Sequence, residues 1–222
     1  MRAQPTNRDG DGDDSAAWQN RNMDPRAAHT RARLHRAVLE LAAERELDEI
    51  SVTQLVTRAG VNRSSYYQHF SSREELLASA LETAEDAAGR VRTPVRIPST
   101  GRAAPALVRF LAHFAEHAAV YRRALGPDGS ALVASRVRAR TVDLVREGIE
   151  LSRTPRTGLP LDIEAAGTAG ALLGVIEAWI ARDPLPSPDV AAEWMWRILS
   201  GPEHGTPGSP PPAAAAHGLS GS

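Results

Sequence analysis

The chain has 222 residues, 42% hydrophobic and 24% charged, so it can bury a core and is sized for one large domain or two small ones. A formal net charge of -1 excludes a polybasic protein and confines any nucleic-acid contact to a local basic surface. The absence of cysteine excludes a disulfide framework, a thiol nucleophile and a cysteine zinc cluster, and makes a reducing cytoplasm the expected compartment. All 26 basic residues are arginine, a compositional bias that carries no function by itself.

Residues 1–24, rich in Asp, Asn, Gly and Arg, lack the aliphatic surface needed to offset ordering entropy and are expected to form a disordered arm. Their opening, MRAQPTNRDGDGDD, has no apolar signal-peptide core, so secretion is not expected. Met23, next to Asp24 and Pro25, is an alternative translation start. At the other end, residues 201–222 mix Pro, Gly and Ala without an apolar face and read as a flexible tail. Between these ends the patterning is helical, with no competing strand alternation. The expected fold class is all-α.

Leu34, Val38, Leu41 and Ala42 follow helical spacing within a first helix predicted from about Pro25 to Glu46. Ser51 offers an N-cap to a short helix containing Val52, Leu55 and Val56, which Gly60 closes. Asn62 caps the next segment, NRSSYYQHF. Ser71 or Ser72 caps a fourth helix, whose Glu74 and Glu75 suit the N-terminal dipole. The prolines and glycine of RTPVRIPSTGR end that helix and place a boundary at 92–102. Further helices are predicted around Leu107–Phe114, Val120–Leu125, Leu132–Leu151, Asp162–Ala181 and Pro188–Leu199. The expected division is an arm (1–24), a first helical domain (25–72), a connecting helix (73–91), a loop (92–102), a second helical domain (103–200) and a tail (201–222).

The two short helices joined through Ala59-Gly60-Val61 have helix-turn-helix spacing, which lays a second helix in the major groove with its first residues at base edges. Arginine bonds a guanine edge in bidentate fashion, while serine, tyrosine and histidine hold phosphates. Arg26, Arg31, Arg33, Arg36, Arg58 and Arg73 are candidates for the basic footprint that the net charge lacks. Spacing alone leaves a purely structural helix pair open.

Residues 31–82, about a quarter of the chain, resemble the N-terminal domain of the tetracycline-repressor (TetR) family of bacterial regulators, most specifically in AGVNRSSYYQHFSSREELL. The resemblance implies an all-helical homodimer of about nine helices, with a C-terminal domain that binds an effector and carries the dimer interface. It assigns DNA contact to Thr53, Arg63, Ser64, Ser65, Tyr67 and His69, and places Tyr66 and Phe70 in the core. Arg73 stands where many members carry lysine, which keeps the charge of a phosphate contact.

Other signals point elsewhere. His113-Phe114-Ala115-Glu116-His117 has the form of an inverted zinc-peptidase motif, but no third ligand or cleft accompanies it. Metal-dependent chemistry at His113, Glu116 and His117 is therefore the lesser alternative, and neither a metal nor another cofactor is expected. The apolar run Ala165–Ala181 is shorter than the roughly 20 residues a membrane span needs and contains Glu177, so it reads as buried helix. Its small residues admit a close neighbour. Ala166, Gly170, Leu173 and Gly174, with Trp194 and Ile198 of the last helix, are the expected dimer interface, internal core being the plainer alternative. Phe110, His113, Phe114, Tyr121 and Trp179 are candidates for an effector pocket, although aromatics at helical spacing are more often packing. Asn62-Arg63-Ser64 matches a glycosylation acceptor that a cytoplasmic protein does not use.

Together these features predict a regulator, expected to repress, that binds a palindromic double-stranded DNA operator as a cytoplasmic homodimer and answers to an unknown small molecule. The principal alternative is a helical protein-binding adaptor. No membrane association and no catalysis are expected.

Overall fold

The structure is a computed structural model that describes residues 25–88, 105–152 and 158–200. The expected arm, the 92–102 loop and the tail lie outside the described residues. Regular structure within them is entirely helical. It comprises α1 (Pro25–Glu44), a 3-10 turn (Leu47–Glu49), α2 (Val52–Ala59), α3 (Arg63–His69), α4 (Arg73–Ala88), α5 (Pro105–Glu116), α6 (Ala118–Ala124), α7 (Ala131–Ser152), α8 (Leu161–Ile180) and α9 (Pro188–Ser200).

These helices divide between two compact units, Met1–Arg92 with His113–Arg140 and Thr93–Ala112 with Thr141–Ser222. In the first unit, α1 is the central element and packs against α4, α2 and α6. The apolar stripe read from the sequence does this: Leu34, Val38, Leu41 and Ala42 are all buried. They meet a core that includes Leu55 of α2, Tyr66 of α3 and Leu76, Leu77 and Leu81 of α4. Each fully buried leucine contributes roughly 1.5–3 kcal/mol of transfer free energy. The first helix ends two residues earlier than its periodicity predicts, and the chain turns through the 3-10 segment so that Ile50 can be buried. The helix-turn-helix segment thus shares one unit with α6 and the adjoining ends of α5 and α7.

The second unit centres on α8 and α9, which pack on each other. Ala165, Ala169, Leu172, Leu173, Ile176, Trp179 and Ile180 of α8 are buried, as are Ala191, Ala192 and Met195 of α9. The indole N–H of Trp179 donates to the carbonyl of Pro186 at 2.9 Å, satisfying the one polar atom of that side chain. By length and composition α8 is apolar enough to cross a membrane, but its buried face is the signature of a core helix.

Candidate nucleic-acid interface

Local capping chemistry builds the two short helices. Ser51 Oγ accepts the Gln54 amide at 3.2 Å, and Gln54 Oε1 accepts the Ser51 amide at 2.8 Å, a reciprocal capping box. α2 ends at Gly60 in the left-handed region (φ 61°), where the Val61 amide reaches back to the Val56 carbonyl at 3.0 Å. A side chain there would be strained by its backbone and would meet the Arg33 guanidinium. Asn62 Oδ1 then accepts the Ser65 amide at 2.7 Å and starts α3.

α3 buries Tyr66, and Phe70 is buried just beyond its end. With those two turned inward, Arg63, Ser64, Tyr67 and Gln68 face outward, and Ser65 and His69 are half-buried. Tyr67 is 53% exposed, far more than a core aromatic would be. Arg63 Nη2 donates to the Tyr67 hydroxyl at 3.2 Å, and its guanidinium carbon lies 5.6 Å from that ring's centroid. This i, i+4 pair holds the arginine on the exposed face. Thr53 is exposed in the first turn of α2.

Several other arginines of the expected basic footprint have partners within the chain. Arg73 Nη1 donates to the carbonyls of Asp48 and Ile50, each at 2.8 Å, and Arg73 also faces Glu74 at 3.8 Å. Arg31 bonds Ser79 Oγ at 3.3 Å and lies over the Phe70 ring, while Arg58 pairs with Glu40 at 3.1 Å. Sequence patterning could not find these partners, which for Arg31 and Arg58 lie on other helices and for Arg73 lie mostly in the turn before α2.

The expected effector residues separate between the units. In the first, His113, Phe114 and Tyr121 form one buried cluster: His113 Nε2 is 2.8 Å from the Tyr121 hydroxyl, and the Phe114 and Tyr121 rings lie 4.4 Å apart. Burial, helped by neighbouring His117, lowers the His113 pKa to about 4, and burial also pushes the Tyr121 phenol up. In the second, Trp179 is fully buried and Phe110 is half-buried. Tyr121 engages one imidazole nitrogen of His113, and the His113 and His117 rings lie 5.1 Å apart. Among the described residues no group of three His, Cys, Asp or Glu side chains is placed to hold a metal.

Of the expected interface residues, Ala166, Gly170 and Gly174 lie exposed on α8, and a Cβ added to either glycine would meet open space. Ile198 of α9 is 57% exposed, and Trp194 is half-buried beneath the Arg182 guanidinium at 5.0 Å. Leu173, by contrast, is buried within its own chain.

Two charged features were invisible to periodicity. Arg136 faces Glu82 at 3.6 Å, and Arg140 faces Glu85 at 3.9 Å and bonds Asp86, tying α7 to α4. Burial raises the Glu85 pKa to about 7 against the opposing pull of Arg140. The second feature is Arg123 of α6, which reaches the end of α1.

These elements define an all-helical protein with an N-terminal helix-turn-helix whose second helix presents an exposed polar and basic face. Residues 34–80 match the model of bacterial regulatory proteins of the tetR family. A TetR transcriptional regulator from Streptococcus agalactiae 2603V is similar in structure, with a TM-score of 0.55 at 18% identity over 83% of this chain and 99% of that one. A tetR-family transcriptional regulator from Streptomyces coelicolor gives 0.54 at 21% identity over 76% of this chain and 78% of its own. The transcriptional regulator FadR from Bacillus subtilis, in complex with stearoyl-CoA, gives 0.54 at 17% identity over 76% and 96%. No curated protein matches. Residues 34–80 thus match the TetR-family model, and the chain carries the fold seen in these TetR-family regulators.

Proposed function

We propose that this protein is a ligand-responsive transcriptional repressor, acting in the cytoplasm, that binds a palindromic operator as a homodimer. The observation that carries this reading is the exposed face of α3, where Arg63, Ser64 and Tyr67 stand clear of the core on a helix locked at both ends. Arg63, oriented by Tyr67, is suited to a guanine edge; Ser64, Ser65, His69 and the Tyr67 hydroxyl are suited to phosphates, with Thr53 at the start of α2. Arg73 is a supporting residue in this reading, because its guanidinium already serves two carbonyls.

A homodimer places two such helices about one DNA turn, roughly 34–36 Å, apart, so the operator has the dimer's two-fold symmetry. The exposed Ala166, Gly170, Gly174 and Ile198 form the self-complementary surface of that dimer. An effector acts by linkage: if it binds better to a dimer of the wrong spacing, it lowers operator affinity by the same coupling free energy, about 1–3 kcal/mol. The stearoyl-CoA held by the Bacillus neighbour supports a small-molecule effector here, and the clustered His113, Phe114 and Tyr121 are the side chains we assign to sensing it. Nothing in this role requires a catalytic step.

Selection of bound sequences from a random duplex library, followed by binding to the enriched sequence against salt, tests the proposal. An enriched palindrome with log affinity falling linearly with log salt is expected. A folded dimer that enriches nothing and shows no salt slope would leave a protein-binding adaptor in its place.

A further inference from the structure

α1 carries no basic residue in its last turn, although the carbonyls there form the negative end of a long helix. The missing cation comes from α6. Arg123 Nη1 donates to the Ala43 carbonyl at 2.6 Å and to the Ala119 carbonyl of its own helix at 3.4 Å. Its Nη2 donates to the Glu44 carbonyl at 3.4 Å, and its Nε faces Glu46 Oε1 at 3.2 Å. One guanidinium therefore caps the end of α1, pairs with Glu46 two residues beyond it and remains tied to α6.

Packing does not enforce this arrangement. Arg123 stands at the wall of a cavity of about 170 Å³, bounded also by Arg45, Leu47, Asp48, Gly129 and Ser130, so its side chain has room to swing away. Hydrogen bonds and charge hold it. α1 in turn packs against α2, α3 and α4, so whatever fixes the end of α1 fixes the platform on which α3 stands.

We propose that Arg123 is a positioning residue for DNA binding: it latches α6 to the C-terminal end of α1, and its release loosens the helix-turn-helix and weakens operator binding without removing a DNA contact. This rests on the proposed DNA-binding role, so one of its tests needs no DNA. The chain has no cysteine, and spin labels introduced by Thr57→Cys and Ala131→Cys, at exposed sites on α2 and α7, report the distance between the two sides of the latch. Full-length labelled chain, diluted with unlabelled chain, is compared with and without Arg123→Ala.

A broadened distance distribution is expected in the variant. Binding to the duplex enriched by selection is expected to weaken about tenfold, with an unchanged salt slope because no phosphate contact is lost. A merely stabilising role would lower the melting temperature and leave the native distance distribution as narrow as before. An unbroadened distribution, or affinity within twofold of the parent, overturns the latch. Failure of the parent itself to bind duplex DNA overturns the DNA-binding role instead, while the distances still judge the latch. Should Arg123→Ala fail to fold, Arg123→Gln keeps an amide donor but not the charged fork; it is expected to show the same two changes, and parent-like behaviour overturns the proposal.

Discussion

Arg73 at the start of α4 and Ile50 before α2 are joined by a 2.8 Å hydrogen bond from guanidinium to carbonyl, and the same nitrogen also serves the carbonyl of Asp48. A lysine in this position would bring a point charge in place of a planar fork that also faces Glu74. Arg73→Ala is expected to lower stability by about 1–3 kcal/mol, the cost of leaving these acceptors without their charged donor. Arg73→Lys should lose less. Urea unfolding of both variants measures this, and an unchanged midpoint would return Arg73 to a role as a phosphate contact alone.

Arg63 and Tyr67 form a second pair, and here the consequence is recognition. If Arg63 reads a guanine, Arg63→Ala removes about 1–3 kcal/mol of discrimination at one base pair of the operator. Tyr67→Phe takes away the hydroxyl that orients the guanidinium and is expected to give a smaller loss at the same base pair. Competition binding with singly substituted operators resolves the two effects. Equal losses at every position would mean that Arg63 contacts only backbone.

Stability should fall as the solution is acidified. The folded-state pKa values of His35 and His113 are lowered to about 4, in both cases by burial first, with Arg31 adding to the effect at His35 and His117 at His113. Unfolding lets both imidazoles take up a proton below pH 6.5, so they stabilise the fold above that pH and lose this contribution as pH falls towards 4. Glu85 has the opposite sign: its folded pKa is raised to about 7, so its favourable contribution is present at low pH and disappears as pH rises towards 7. Between pH 5 and 6 unfolding thus takes up two protons and releases one. The three groups together should make stability rise with pH by about 1.4 kcal/mol per unit. Glu85→Gln removes the opposing group and should nearly double that slope in denaturant titrations. A shallower slope in the variant would contradict the assignment.

Gly170 and Gly174 separate a lone chain from a dimer. Within an isolated helix, replacing either with alanine should stabilise by roughly 0.5–1 kcal/mol, since a Cβ would meet open space. At a close helix-helix interface the same methyl groups crowd the partner. The double variant Gly170→Ala/Gly174→Ala is expected to weaken self-association, measured by sedimentation equilibrium, while raising the melting temperature of the monomer. Unchanged association would move the interface away from this face.

Much of the architecture was legible from sequence because it is decided by residues close together in the chain. Ser51, Gly60 and Asn62 announced the limits of α2 and the start of α3 through backbone groups within a few residues of themselves, and those caps form where they were read. The apolar spacing of Leu34, Val38, Leu41 and Ala42 likewise named the buried face of α1, since helical period alone selects it. The same locality explains why the 3-10 turn was missed: Leu47–Glu49 has no periodicity of its own and exists to bring Ile50 into the core.

Sequence alone determined that this is a helical protein with a helix-turn-helix near its N-terminus, and which residues lie on the outer face of α3. Tertiary structure decided what the charged and amphipathic side chains do. Arg31, Arg58 and Arg73 looked alike as members of a basic footprint, yet each found a partner on another element. His113 and Tyr121, both read as pocket residues, bond each other within the core, while Arg123 carried no motif and caps a helix about 80 residues earlier in the chain. A guanidinium or imidazole is satisfied by whichever carbonyl, carboxylate or ring the folded helices bring within about 3 Å, and that distance is set by packing between elements rather than by spacing along the chain.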